Sequence, residues 1–514
     1  GGGRAADRSL QARLARERRI RAERSYSGVL VFDEAHRAKN LEAETRTARL
    51  VLALQERLPN ARVLYASATG VSDIKHMAYA TRLGLWGAAN PLYPTFDAFR
   101  GALEKRGVGA MEMLALEMKR KGMFLARTLS WDGADFETVE VRLSSPQVRR
   151  YDLAVQWWFN LRGRIQDALD VISIAPPKML MRTYWSAHQR FFREMCICAK
   201  VDEVADQAKR YLQDGHAVVV GLQSTGEAGM EVALQELAET LASNLSSGGT
   251  PFGKTGSGGT DLEDVLLPTL VSTCASIMTN FCRNHFPVAP PPPEVPKVPE
   301  IPPSGFSTES ERVEYLRLST EAERIQKLPA PAPIPALVAM RAETLEAIRD
   351  LDLPANPLDD LIDRLGGVDN VAEMTGRSGR VLRDSRSGKY CYVKRIGGQI
   401  KQKSYGLSMP TTSDDATDRL NLVEKKKFMA GQKNVAIISD AASTGISLHA
   451  ENRSESAHKR RVHFTIELPW AADKAIQQLG RTHRSGQRTA PIYKMVVTEL
   501  GGERRFAAAV SKRM

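Results

Sequence analysis

The segment VLVFDEAH, residues 29–36, sets two adjacent carboxylates, Asp33 and Glu34, directly after four apolar residues that favour a strand. A strand of this kind in a parallel sheet delivers the next residues to the carboxyl edge, where such sheets hold ligands. Phosphoryl transfer from ATP needs one carboxylate to hold Mg²⁺ and another to orient or deprotonate the attacking water. Asp33 suits the first role and Glu34 the second, with His36 in the same loop beside the nucleotide. DEAH occurs by chance as a bare string; the apolar run before it is what gives it weight.

Downstream, a helical stretch (LEAETRTARLVLALQERL) leads to a second apolar strand, Arg62–Ala66, and then to SATG. Strand, helix, strand is the rhythm of a parallel sheet covered by helices. Ser67 and Thr69 stand where small hydroxyls can sense the occupant of the Asp33–Glu34 site. Residues 98–128 read as helical, and 145–212 as long helices whose aromatics (VQWWFNL, TYWSAHQRFF) read as core. The alternation resumes with HAVVVGLQSTGE (216–227), NVAIIS (434–439), RVHFTIEL (461–468) and IYKMVVTE (492–499). After NVAIIS comes DAASTGISLHA, in which Asp440 precedes Ser443, Thr444 and Gly445, a loop suited to backbone-phosphate contact. After RVHFTIEL comes AADKAIQQLGRTHR, read as one helix over 471–484 carrying Gln477, Arg481 and Arg484. On a helix the two arginines, three apart, share a face. There they can act on the γ-phosphate or simply favour the helix dipole. The order DEAH, SAT, STG, QxxGRxxR decides for the former.

The 514 residues allow two to four domains at ~150 residues each, and the net charge of +12 favours a polyanionic partner. No stretch approaches the ~20 apolar residues of a membrane span, so no membrane partner is expected. Five cysteines without CxxC or Cys/His zinc spacing fit a reducing compartment. Residues 4–24 read as a basic helix. Residues 243–260 are rich in Gly and Ser, and 287–303 hold nine of the 26 prolines; both read as linker. GGTPFGKT (248–255) matches the phosphate-loop string through Gly248, Gly253, Lys254 and Thr255. It lacks the preceding strand and following helix that a working loop needs, and is read as a mimic. TGRSGR (375–380) mimics the later arginine motif and is read as a basic loop of unassigned role.

The motif order is that of superfamily 2 helicases. The fuller strings VFDEAHRAKN, GAMEMLALEMKRKGMFLAR, YWSAHQRFF, VVVGLQSTGE, VAEMTGRSGRV, ISDAASTGISLHA and ELPWAADKAIQQLGRTHRSGQRTAP resemble the strawberry notch family. These strings, with the ELGGERRFAAAVSKR after them, run from about residue 28 to 513, with 243–335 the exception; the ELPWAADKAIQQLGRTHRSGQRTAP block is highly specific, and its RxHRxGQ core also resembles chromatin-remodelling ATPases.

The resemblance implies an α/β fold of two RecA-like parallel-sheet lobes, the first truncated, with a helical insertion and a Pro-rich disordered linker. The divisions read from it are 1–145 for the first lobe, 146–212 helical, 213–286 for the start of the second lobe, 287–335 linker, and 336–514 for the remainder. It implies ATP and Mg²⁺ as cofactors, with Asp33 as metal ligand and His36 nucleotide-facing. Glu34, Gln477, Arg481 and Arg484 are then catalytic, and Ser67 and Thr69 couple the site to movement. Ser224, Thr225, Ser443, Thr444 and Gly445 contact nucleic acid, DNA in preference to RNA. It further implies a nuclear regulator of transcription working with chromatin or transcription-regulatory proteins. The contrasting expectation is a non-catalytic nucleic-acid- or histone-binding scaffold that keeps the motor shell. In this family the phosphate loop belongs upstream of DEAH. Only 32 residues precede Asp33 and none reads GKT or GKS, so this chain alone is expected to be a poor ATPase.

Overall fold

The computed structural model describes residues 23–41, 45–67, 74–127, 130–175, 177–223, 225–226, 266–267, 271–292, 295–298, 308–326, 328–329, 331–383, 390–395, 413–439, 446–467, 469 and 472–504. The chain divides into two units, Gly1–Ser130 and Trp131–Met514.

In the first unit, β1 (Val29–Phe32) and β2 (Arg62–Tyr65) pair in parallel, Val29 opposite Arg62 and Phe32 opposite Tyr65. The helix Arg46–Arg57 makes the crossover. Gln55, buried at its end, donates to the Tyr79 carbonyl and accepts from the Tyr65 and Thr81 hydroxyls. One small core gathers Ala35, Ala38, Tyr79 and Ala80 against Phe32, Val51 and Tyr65. A second sets Ile74 and Met77 against Phe99 and Leu103 of the helix Phe96–Glu104, which Thr95 caps by accepting from Ala98 N–H. The helix Val108–Arg120 comes next.

The second unit is built on a six-stranded sheet: β3 (Asp135–Val141), β4 (Ala217–Leu222), β6 (Val371–Met374), β9 (Val435–Ser439), β10 (Arg461–Thr465) and β11 (Ile492–Thr498). Their order is β3-β11-β10-β4-β9-β6, and every pair is parallel. The central strands are buried throughout, as parallel strands covered on both faces must be. On one face Val218, Val220, Phe464 and Ile437 meet Ile197, Val201 and Val204 of the helix Lys178–Gln213, and Leu358 and Leu361 of the helix Pro357–Arg364. On the other, Val219, Ala436 and Met374 meet Phe428, Ile446 and Leu448. A separate antiparallel sheet has the order β5-β8-β7, from β5 (Leu266–Leu267), β7 (Gly379–Arg383) and β8 (Tyr390–Lys394).

The helix Ser145–Ile172, closed by a Ser144/Gln147 capping box, packs Trp157, Trp158, Leu161 and Ile165 against Tyr184, Phe191, Phe281 and Leu337. These aromatics are core, as read from the sequence, although Phe159 and Trp185 face outward. Three expectations change. Residues 135–141 lie in the second unit's sheet, not in a first lobe reaching 145, because they pair with β11. The helices of 146–212 are no insertion, since the second of them covers the six-stranded sheet. The proline-rich stretch 287–335 contains the helix Glu309–Gln326. The basic helix of 4–24, apart from its last two residues, and the phosphate-loop mimic at 248–255 lie outside the described residues.

Candidate nucleotide and nucleic-acid site

Asp33 and Glu34 occupy the turn at the carboxyl end of β1. Asp33 is exposed, and its Oδ1 accepts the Glu34 N–H at 2.9 Å. Glu34 sits in the left-handed region, φ 49° and ψ 44°, and this places its side chain beside His36. His36 Nδ1 lies 3.3 Å from Glu34 Oε2 and 3.1 Å from Ser67 Oγ. The backbone ties the same two segments together: Ala66 N–H donates to Phe32 O and Ala35 N–H to Ala66 O, both at 2.9 Å. Thus four of the first unit's expected residues, Asp33, Glu34, His36 and Ser67, form one locus; Thr69 lies outside the described residues.

In the second unit, Thr225 lies just past β4, and its carbonyl accepts from Asn356 Nδ2 at 3.2 Å. Asn356 also caps the helix Pro357–Arg364 and donates to Thr273 Oγ1 at 2.8 Å. Gly226 is needed there: its φ is +69°, and a Cβ would crowd Asn356 and Thr273. Ser224, Ser443, Thr444 and Gly445 lie outside the described residues.

The arginine motif departs from expectation. The helix spans Ala472–Leu479, not 471–484, so Arg481 and Arg484 lie beyond it and share no helical face. A helix that comes after a parallel strand runs back against it, so its end leaves the carboxyl edge. Accordingly Tyr493 donates to Leu479 O at 2.8 Å, and His463 Nδ1 lies 2.9 Å from Thr482 Oγ1. His463 is at the middle of β10 and Tyr493 is the second residue of β11. Burial holds the His463 imidazole neutral, its pKa lowered to about 3. Arg481 is buried; its Nη1 donates to Ile446 O at 3.4 Å, and its carbonyl accepts Leu448 N–H at 2.7 Å. The structure therefore joins the arginine motif to the segment just after Gly445. Arg484 is exposed, with Nε donating to Gly480 O at 3.2 Å. Gln477 lies on the short helix, and its neighbour Gln478 lies over Gly221 of β4.

Two family models match. One, described as the C-terminal domain on strawberry notch homologues, covers residues 356–514. The other, described as P-loop containing NTP hydrolase pore-1, covers 8–153. Protein strawberry notch homolog 1 of Rattus norvegicus is 39% identical over 95% of this chain. The chain belongs to the strawberry notch family. Protein FORGETTER 1 of Arabidopsis thaliana is 37% identical and Protein strawberry notch of Drosophila melanogaster 32%, each over 95% of this chain. The chain spans 39%, 42% and 39% of the lengths of these three relatives.

Two features of this strawberry notch chain escaped the sequence reading. Glu467, buried just past β10, accepts Gln223 N–H at 2.8 Å and lies 3.3 Å from Arg193 Nε; its position after an apolar strand was the available signal. The second concerns TGRSGR. Arg377 is fully buried, holding Glu373 with Nε at 2.6 Å and Nη2 at 3.1 Å, and Asp359 with Nη1 at 2.6 Å. It is a structural arginine rather than part of an open basic loop. The signal available for it was a glutamate four residues earlier in the same short motif.

Proposed function

We propose that this chain is part of an ATP-driven nucleic-acid motor that couples hydrolysis to remodelling of nucleic acid or chromatin. The observation that carries the reading is the His36 bridge. One imidazole nitrogen lies within reach of both Glu34 of DEAH and Ser67 of SAT, so a change at the carboxylate moves a hydroxyl on the next strand. The exposed Asp33 carboxylate at a strand's carboxyl end fits a divalent cation, and Mg²⁺ with ATP would be held there; Glu34 would orient water. DNA in preference to RNA, chromatin or transcription-regulatory proteins as partners, and a nuclear location belong to the same proposal.

The test is nucleic-acid-stimulated ATP hydrolysis by the full-length protein. Glu34→Gln is expected to cut turnover about 10²–10⁴-fold, the usual weight of a positioned acid–base group, while ATP still binds. Near-normal turnover in this variant removes Glu34 from the role. A full-length protein that binds nucleic acid but hydrolyses nothing turns the conclusion to a scaffold that keeps the motor shell.

A further inference from the structure

Of the helix Lys178–Gln213, the stretch from Ile197 to Ala208 lies on the six-stranded sheet, while Tyr184, Ala187 and Phe191 pack against the helices Ser145–Ile172 and Thr273–His285. The change of partner falls at the carboxyl edge of the sheet. Lys200 Nζ donates to Ile466 O at 2.7 Å, and Arg193 Nε lies 3.3 Å from Glu467 Oε1, where the chain has just left β10. Residues 178–193 therefore run on past that edge for roughly 22 Å at the helical rise per residue. It is the edge at which parallel strands hold ligands. Glu467 also accepts Gln223 N–H, two residues before Thr225, so the helix leaves the sheet beside a residue proposed to contact nucleic acid.

The core between these helices takes Trp157, Trp158, Tyr184 and Phe191 and leaves two aromatics outside: Phe159 is 69% and Trp185 45% exposed. Arg162 connects them. It stands three residues after Phe159, on the same side of its helix, and its guanidinium lies 5.9 Å from the centroid of the Trp185 ring on the neighbouring helix, within cation–π range. A single exposed apolar side chain needs no explanation. Two aromatics joined through one arginine form a continuous surface.

The charge around that surface has one sign. Residues 153–166 and 178–193 together carry six Lys and Arg and no Asp or Glu. Arg164 pairs with Glu343 and Arg193 with Glu467. The other four, Arg162, Lys178, Arg182 and Arg190, are exposed and meet no carboxylate among the described residues. Lys178, Arg182, Trp185, Gln189 and Arg193 recur three or four residues apart, the spacing of one helix face. They make a stripe that starts at free cations, passes the indole and ends at Glu467 on the sheet's edge.

We infer that this stripe binds single-stranded DNA, with bases stacked on Trp185 and Phe159 and phosphates along Lys178 and Arg182. This rests on the nucleic-acid reading above and extends it outward from Thr225. Unpaired bases offer a π-face whatever their sequence, and their backbone matches a row of free cations. A duplex keeps its bases stacked on one another, and an acidic peptide would account for the cations but not for the two aromatics.

The experiment is equilibrium binding, by this chain, of a fluorescent oligothymidylate and of a duplex of the same length. Phe159→Ala combined with Trp185→Ala should weaken oligothymidylate binding roughly tenfold or more and leave duplex binding unchanged. Phe159→Tyr with Trp185→Phe keeps both stacking faces and should restore most of the affinity. Lys178→Gln with Arg182→Gln should lower the slope of log K against log salt on the single strand by up to about 0.7 for each lost phosphate contact. An unchanged far-ultraviolet spectrum and melting midpoint establish that a variant is folded; if the alanine pair is not, the exposed Lys178 and Arg182 decide, and an unchanged slope there overturns the inference. Failure of the wild-type chain to bind either DNA sinks the functional reading itself. Binding of the duplex alone, no loss in the alanine pair, or an equal loss on single strand and duplex sinks the stripe and leaves that reading standing. An equal loss of polyglutamate binding would make the stripe a docking surface for acidic protein, which also overturns the inference.

Discussion

Glu34 combines a catalytic position with an uncommon backbone. A non-glycine residue in the left-handed region costs roughly 1–3 kcal/mol, and here it buys a turn that aims one carboxylate outward and the other at His36. Asp33 and Glu34 were legible because they come directly after their strand. Arg481 and Arg484 were legible as residues but not as a geometry, since the helix ends before Gly480. The two should now separate by experiment. Arg484→Lys is expected to leave the melting temperature unchanged, the guanidinium being exposed, whereas Arg481→Ala should lower it by removing a buried group from Ile446; equal melting points would contradict this placement. Glu194 was not legible at all, because only burial makes it unusual. Burial first, and the nearby Glu467 second, raise its carboxyl from 4.5 to about 7. The folded state thus binds the proton more tightly than the unfolded chain. The stabilisation is full below pH 4.5 and is lost as pH rises through about 7, a loss of about 3 kcal/mol. Glu194→Gln should flatten that part of the pH–stability curve; a wild-type curve already flat there would refute it.

At the scale of the element, β4 and β9 announced themselves as nearly continuous apolar runs and β10 by the alternation of Val462 and Phe464 with polar residues, and the structure buries all three on both faces. The helix Glu309–Gln326 did not, because it is polar on nearly every side and lies between proline runs. Its signal was local: Arg312, Arg317 and Arg324 each stand three residues after a glutamate and pair with it. Two elements invite substitution. A Cβ at Gly221 in β4 would collide with the Gln478 amide, whose oxygen is buried without a partner among the described residues. Gly221→Ala should therefore cost about 1–3 kcal/mol by overpacking, read as a lower denaturation midpoint. Arg377→Met leaves Glu373 and Asp359 facing each other without their shared cation. Arg377 and Arg395 hold the Glu373 carboxyl at about 2 against its burial, so it stays ionised at neutral pH. The expected loss is about 3–5 kcal/mol, measured by urea unfolding; a loss under about 1 kcal/mol would mean the network is slack.

Across the whole molecule, the alternation of strand and helix conveyed two parallel-sheet units, but not where one yields to the other. The strand DFETVEV alternates like a sheet edge, and its partner Ile492–Thr498 lies some 350 residues onward, a pairing no local pattern reveals. The units also differ in self-sufficiency. Two strands make a poor free-standing sheet, and β1 and β2, the strands of the first unit among the described residues, leave Val29, Val31 and Leu64 more than half exposed. Residues 131–514 should accordingly unfold in a cooperative transition when expressed alone, and residues 1–130 should not; a sharp transition for the shorter piece would refute this. The first residue of the second unit, Trp131, is stacked on His483 with ring centroids 4.7 Å apart and planes 14° from parallel. His483 lies between Arg481 and Arg484. Trp131 also meets Phe136 of β3 and Tyr493 of β11 edge-on, so the start of this unit is riveted at once to the arginine segment and to two neighbouring strands of the sheet, and loosening that one indole would be felt in both.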